Sequence, residues 1–163
     1  MTTSGPTLWI DADACPRSAL QVTLAVARER NLEVKTVSTW RHEIDLPGHI
    51  TVDAAPQATD LAILARMATG DVVITQDYGL AALVLARSGR ALTAGGLIFT
   101  NDNIDTLLAS RADMARLRRS RRPRQGEEHA PRMKAIPART PDDDRHFLEG
   151  LKHVLDTAPR EPH

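Results

Sequence analysis

Short apolar runs that alternate with helical stretches over residues 1–118 constrain this chain more than any other feature. Thr7–Ile10, Leu32–Ser38, Ile50–Val52, Asp71–Thr75, Ala91–Thr93 and Leu97–Thr100 read as strands. Helices are predicted over about residues 16–30, 58–68, 80–87 and 103–118, with proline, glycine, aspartate or asparagine at their ends. Asp71–Thr75 is apolar at successive central positions, as a parallel strand covered on both faces tends to be. Such alternation predicts a layered α/β domain with a mostly parallel sheet. Residues 119–141 hold arginine, proline and glycine without periodicity and are expected to form a basic, flexible strap. In residues 142–163, Phe147, Leu148, Leu151, Val154 and Leu155 share one face of a final helix that packs back on the same domain.

The 163-residue chain is 42% hydrophobic and 26% charged, which excludes disorder of the whole chain. No apolar run approaches the roughly 20 residues of a membrane span. The opening MTTSGPT lacks the basic and apolar regions of an export signal, and the single cysteine, Cys15, has no internal partner. A cytoplasmic protein is expected. Net charge is zero but unevenly laid out. Residues 1–115 carry nine Lys/Arg against thirteen Asp/Glu, a net −4, while residues 116–139 carry nine against two, a net +7. An acidic body beside a basic strap suits a cation-binding site next to an anion-attracting segment. The only aromatics are Trp9, Trp40, Tyr78, Phe99 and Phe147, too few for a base-stacking platform.

In open parallel sheets ligands bind outside the carboxyl ends of the strands. Asp11 and Asp13 follow the first strand, Asp77 follows Thr75, and Asp60 lies near a helix start. Carboxylates gathered at one edge repel unless a cation sits between them, and Mg²⁺ or Mn²⁺ takes such oxygen ligands. The competing explanation makes each aspartate a helix N-cap. Asp11-x-Asp13 after a strand also fits a haloacid-dehalogenase-like phosphatase, with Asp71 and Asp77 as its last acidic block. That chemistry needs a lysine between the blocks, and the only one there, Lys35, comes too early. Cys15 reads as a packing residue, and His146 and His153 as surface residues on one face of the last helix.

Trp9-Ile10-Asp11-Ala12-Asp13-Ala14-Cys15-Pro16 resembles the opening of the YaiI/YqxD family of bacterial proteins, which is grouped with the PIN-like superfamily of metal-dependent nucleases. The blocks around Asp60, Gly70–Asp77 and Phe99–Asp105 are similar to its later blocks in the same order. The resemblance covers about residues 7–118 and, weakly, Arg145–Phe147. It implies a PIN-like three-layer fold with a mostly parallel central sheet. It also implies that Asp11, Asp60 and Asp77 are metal ligands for Mg²⁺ or Mn²⁺, with Asp13 as a further catalytic acid orienting a metal-bound water. Thr75, Asp102, Asn103 and Asp105 are the implied accessories. Two positions depart from the family pattern. Gln57 stands where relatives commonly have an acid, and Arg118–Gly126 stands where they tend to have a Gly-Gly-Pro stretch.

The expected function is metal-dependent phosphodiester hydrolysis, with RNA as substrate and Arg118, Arg119, Arg121, Arg122 and Arg124 as phosphate contacts. The alternative, which Gln57 favours, is a catalytically idle RNA-binding or interaction module on the same fold. No membrane partner is expected, and self-association stays open.

Overall fold

The computed structural model describes residues 5–42, 44–55, 57–120 and 138–157, with residues 113–120 described by their backbone alone. Its elements are β1 (Leu8–Asp11), α1 (Arg17–Arg30), β2 (Val34–Thr39), β3 (His49–Val52), α2 (Ala58–Arg66), β4 (Val72–Ile74), α3 (Tyr78–Ala86), β5 (Arg90–Leu92), β6 (Ile98–Phe99), α4 (Ile104–Ser120) and α5 (Pro141–Asp156). The strands form one sheet in the order β3-β2-β1-β4-β5-β6. All neighbours are parallel except β6, which turns back antiparallel along β5. The chain winds outward from β1 to β3, returns through α2 to β4, and winds outward again. Strand order therefore reverses between β1 and β4, the point at which doubly wound sheets open a crevice.

Strand parity sorts the core into two layers. Leu8, Ile10, Val72, Ile74 and Leu92 pack with Val26 of α1 and with Phe147, Leu151 and Val154 of α5. Trp9, Val73 and Ala91 face the other way, against Ile63 and Leu64 of α2, Leu80 and Val84 of α3, and Ile104 of α4. This is the three-layer α/β arrangement that the alternation predicts. Asp11 has the parity of Trp9, which turns it toward α2 and α3.

Element ends differ from expectation where a local hydrogen bond decides. Asn31 adopts a left-handed conformation (φ 55°) and closes α1, and the Leu32 N–H bonds back to the Ala27 carbonyl, so β2 starts only at Val34. The Asp77 carboxylate accepts the Leu80 N–H, which starts α3 at Tyr78 instead of residue 80. Helix α4 runs on to Ser120, so Arg118 and Arg119 lie in a helix. Thr140 and Asp143 form a reciprocal capping box with Pro141 as the first helical residue, which sets the start of α5. Residues 121–137, which include Arg121, Arg122 and Arg124, lie outside the described residues.

Helices α1 and α5 run side by side in the same direction. Ser18 and Arg139 both donate to Asp144 (2.8 and 2.7 Å) at one end, and Arg30 pairs with Asp156 (2.7 Å) at the other. Gly150 lets α5 press onto the β5–β6 turn, since a Cβ there would meet the Gly96 carbonyl oxygen at 2.8 Å. Arg90 donates to the Gly70 and Thr157 carbonyls and so ties the end of α5 to the start of β4.

Asp71 is buried at the amino end of β4, where it accepts from Trp9 Nε1 (3.0 Å) and from the backbone N–H groups of Thr7 (3.0 Å) and Ala68 (2.8 Å). Asp71 and Asp77 thus sit at opposite ends of β4, and the pairing a haloacid-dehalogenase-like site needs is absent.

Candidate active site

The carboxyl ends of β1 and β4, with the first turns of α2 and α3, bring Asp11, Asp60 and Asp77 together. Asp11 ends β1 with only 9% of its surface exposed, and its Oδ2 accepts from the Thr75 hydroxyl at 3.1 Å. The same hydroxyl oxygen accepts the Asp77 N–H at 3.0 Å, so Thr75 links the two strand ends. Burial pushes the Asp11 carboxyl above its ordinary value, opposed by the Thr75 bond and reinforced by the charges of Asp13 and Asp77. Asp60, in the first turn of α2, is pushed up to about 6, first by burial, then by the charges of Asp77 and Asp11, and last by a hydrogen bond with Asp77. The charges of Asp77 and Asp11 thus act on Asp60, and that of Asp77 on Asp11, on the side of the sheet that the strand parity of Asp11 sets.

The raised Asp60 carboxyl has a consequence for stability. Its proton is held more tightly in the folded chain than in the unfolded one, where the ordinary value of 3.8 applies. The penalty for charging it is therefore present above about pH 6 and is relieved as the pH falls toward about 4. Asp60→Asn is expected to raise stability at about pH 7.5 by roughly 1 kcal/mol, after allowing for solvent screening of a half-exposed group, and to lose that advantage near pH 4. Thermal melts of both proteins across this range check it.

Asp13 lies past the strand end, in a 3₁₀ turn of Ala12–Ala14. Its carboxylate turns toward β2 and accepts from the Thr39 N–H (3.1 and 3.2 Å), the Thr39 hydroxyl (3.2 Å), His42 Nδ1 (2.9 Å) and the Thr59 hydroxyl (3.3 Å). Partial burial raises its pKa, but the Thr39 N–H and the His42 and Thr39 side chains outweigh that and hold the carboxyl below its ordinary value. Asp13 therefore neighbours Asp11 without sharing its donors. Among the described residues, no three His, Cys, Asp or Glu side chains form a ready-made group that could hold a metal ion. One Asp77 oxygen caps α3 (3.1 Å), and Asp13 is committed to Thr39 and His42.

The accessory residues divide. Thr75 is in the site. Asn103 instead ties its own turn together, exchanging hydrogen bonds with Thr100 and donating to the Ile98 carbonyl (2.9 Å). β6 runs antiparallel along β5 and its Phe99 meets the Tyr78 ring next to Asp77 (centroids 5.3 Å apart), while Asp102 and Asp105 are exposed around the start of α4. Gln57 is left-handed (φ 64°) just before α2, and its carbonyl accepts the Leu61 N–H (2.9 Å). Cys15 is half-buried against the α1–α5 layer, and burial pushes its thiol up to about 11, as befits a packing residue. Thr39, His42 and Thr59 join the site with no sequence signal beyond their polarity, since each meets Asp13 across a gap of 26 to 46 residues.

A doubly wound three-layer domain of PIN-like form, with acids gathered where its strand order reverses, is the class that fold and site define. The chain belongs to the YaiI/YqxD family, whose model, described as "Uncharacterized BCR, YaiI/YqxD family", matches residues 9–157. That match runs well past residue 118 and takes in α5. The chain is similar to a UPF0178 protein of Exiguobacterium sibiricum, 40% identical over 150 residues that cover 91% of this chain and 95% of the relative. A UPF0178 protein of Heliobacterium modesticaldum is 36% identical over 148 residues (91% and 95%), and one of Lachnoclostridium phytofermentans is 39% identical over 148 (90% and 94%). No solved structure matches the chain. Among the described residues, no helix is long and apolar enough to cross a membrane.

Proposed function

We propose that this protein is a divalent-cation-dependent phosphodiesterase acting on RNA. The supporting observation is the crowding of Asp11, Asp60 and Asp77, which lifts the Asp60 carboxyl to about 6 through burial and the charges of its two neighbours. A cation relieves such crowding. The donors are all oxygen, which fits Mg²⁺ or Mn²⁺, and Asp11, Asp60 and Asp77 would hold the ion. When bound, the ion supplies positive charge to the phosphate and makes a water more acidic. Thr75 fixes the orientation of Asp11, and Asp13, pinned by Thr39 and Thr59, presents a charged carboxylate beside it to orient the attacking water.

The basic segment is the expected phosphate contact. Arg111 lies over the Tyr78 ring (5.5 Å) at the start of α3, so α4 reaches the carboxylate edge and continues for more than two turns beyond that contact. The chain re-enters at Arg139, close to Ser18 at the start of α1, at the same edge. The arginine-rich stretch is therefore entered from a helix that passes this edge and left at Arg139 beside it. Replacing Arg118, Arg119, Arg121 and Arg122 with Ala is expected to weaken RNA binding at low salt. It should flatten the slope of log affinity against log salt by roughly 2–3 units, at about 0.7 per phosphate, and leave Mn²⁺ affinity intact. An unchanged slope assigns RNA binding elsewhere.

Cleavage of RNA by purified protein with Mn²⁺, and its loss in chelator, tests the reading as a whole. RNA that is retained equally with and without chelator, and never cleaved, identifies the idle binding module that Gln57 favours.

A further inference from the structure

A histidine stands beside the acids, and the reading above gives it no task. His42 lies in the loop after β2, and its Nδ1 is 2.9 Å from Asp13 Oδ1. A carboxylate only accepts, so Nδ1 carries a proton and donates it. That leaves Nε2 as the ring's other polar atom, on a side chain 59% exposed. The rest of the residue is anchored. Its N–H bonds the Thr39 carbonyl (3.1 Å), and its own carbonyl accepts the Ser38 hydroxyl (2.6 Å). The same hydroxyl meets His49 Nε2 on β3 at 3.1 Å. Asp13 is held just as firmly, through Thr39 on one side and Thr59 on the other. Thr59 precedes Asp60, and Asp13 is close enough to Asp11 to act on its charge. The ring is thus one carboxylate removed from the site, held through Nδ1 by Asp13, with most of its surface exposed.

We infer that His42 is the proton donor to the leaving oxygen in phosphodiester cleavage, with Asp13 as its positioning residue. The inference rests on the proposed hydrolysis and adds a group to it. A water oxygen bonds to phosphorus, and the bond from phosphorus to the leaving ribose oxygen breaks with its electron pair. His42 acts as the imidazolium, with a proton on each ring nitrogen: Nδ1–H stays on Asp13, and the leaving oxygen takes the proton from Nε2. The water's proton passes to a site carboxylate and from there to solvent, and solvent reprotonates Nε2. A ribose alkoxide needs that proton, whereas a p-nitrophenolate is stable as an anion and leaves without it. General acid assistance of this kind is worth about 10²–10⁴-fold.

The difference supplies the test. Turnover of an RNA oligonucleotide and of bis(p-nitrophenyl) phosphate is measured with Mn²⁺ for wild type, His42→Gln and Asp13→Asn, with melting curves to show that each variant is folded. His42→Gln should lower RNA turnover by about 10²-fold or more, change turnover of the activated diester by less than about 3-fold, and leave the Mn²⁺-induced melting shift unchanged. Asp13→Asn, which loses both the carboxylate that orients the water and the partner of His42, should lower turnover of both substrates, with the larger loss on RNA. Equal losses on both substrates in His42→Gln, or no loss on RNA, overturn the role of His42 while hydrolysis itself stands. A wild-type protein that cleaves neither substrate overturns the hydrolysis reading, and the role of His42 with it.

Discussion

Asp77→Asn is expected to lower Mn²⁺-dependent hydrolysis by about 10³-fold while leaving α3 capped. The two halves of that expectation come from different atoms. One oxygen of Asp77 accepts the Leu80 N–H at 3.1 Å, a bond that an asparagine oxygen also makes. The charge is what the substitution removes, and with it one of the three groups that make the edge attractive to a cation. Asp60 keeps its burial but loses the charge of Asp77, so its carboxyl should fall part of the way from about 6 toward the ordinary range. The apo protein should therefore melt no lower than wild type, and it should gain little from added Mn²⁺. Melting curves with and without the ion read both effects. A variant that gains as much as wild type rules Asp77 out as a ligand.

Asp71→Ala is expected to have the largest effect on stability, and none on the site's own chemistry. Three donors converge on this buried carboxylate: the Trp9 indole and the backbone N–H groups of Thr7 and Ala68. Trp9 is 1% exposed, so its indole N–H cannot turn to water once the carboxylate is gone. Stranding a buried donor costs about 1–3 kcal/mol, and the sites are linked, so a total of about 4 kcal/mol is expected. For a chain of this size that lowers the melting temperature by roughly 8–16 °C. Urea unfolding should show a lower midpoint with an unchanged slope. Because Asp71 lies at the far end of β4, the folded variant should keep the wild-type melting shift with Mn²⁺. A loss of that shift links the two ends of the strand more tightly than the geometry does.

The parts of this structure that were legible in the sequence are those decided locally. β1 and β4 are apolar at consecutive positions because both faces of each are covered, and an acid at the carboxyl end of such a strand stands out. Asp11 and Asp77 were singled out that way, and Asp60 from its place near a helix start, with the family resemblance beside them. What was not legible depends on topology. Asp71 follows a glycine and precedes a strand, and nothing in that neighbourhood tells a carboxylate that binds an indole from one that faces a crevice. Its role appears only once β1 and β4 are known to lie side by side. Asn103 was read as an accessory because its block resembles the family's, and the bonds by which it closes its own turn, to Thr100 and to the Ile98 carbonyl, carry no sequence signal beside so short a strand. His42 reaches Asp13 across 29 residues, a distance no pattern of spacing encodes. Arg119 and Ser120 were assigned to a strap and the backbone makes them helical, since arginine is a good helix former wherever no proline intervenes.

The capture of α5 by α1 bears on how the protein is made. Ser18 with Asp144, and Arg30 with Asp156, are each 126 residues apart, and between those two pairs the face of Leu8, Ile10 and Val26 is closed by Phe147, Leu151 and Val154. A ribosome adding about 5–20 residues per second delivers that cover several seconds after α1. Throughout that interval the nascent chain holds a sheet with one greasy side bare, and closing so long a loop is slow because its entropy must be lost before the contacts form. Emergence of α5 is thus the event that covers this face, and a chain stalled before residue 141 is a natural client for a holdase.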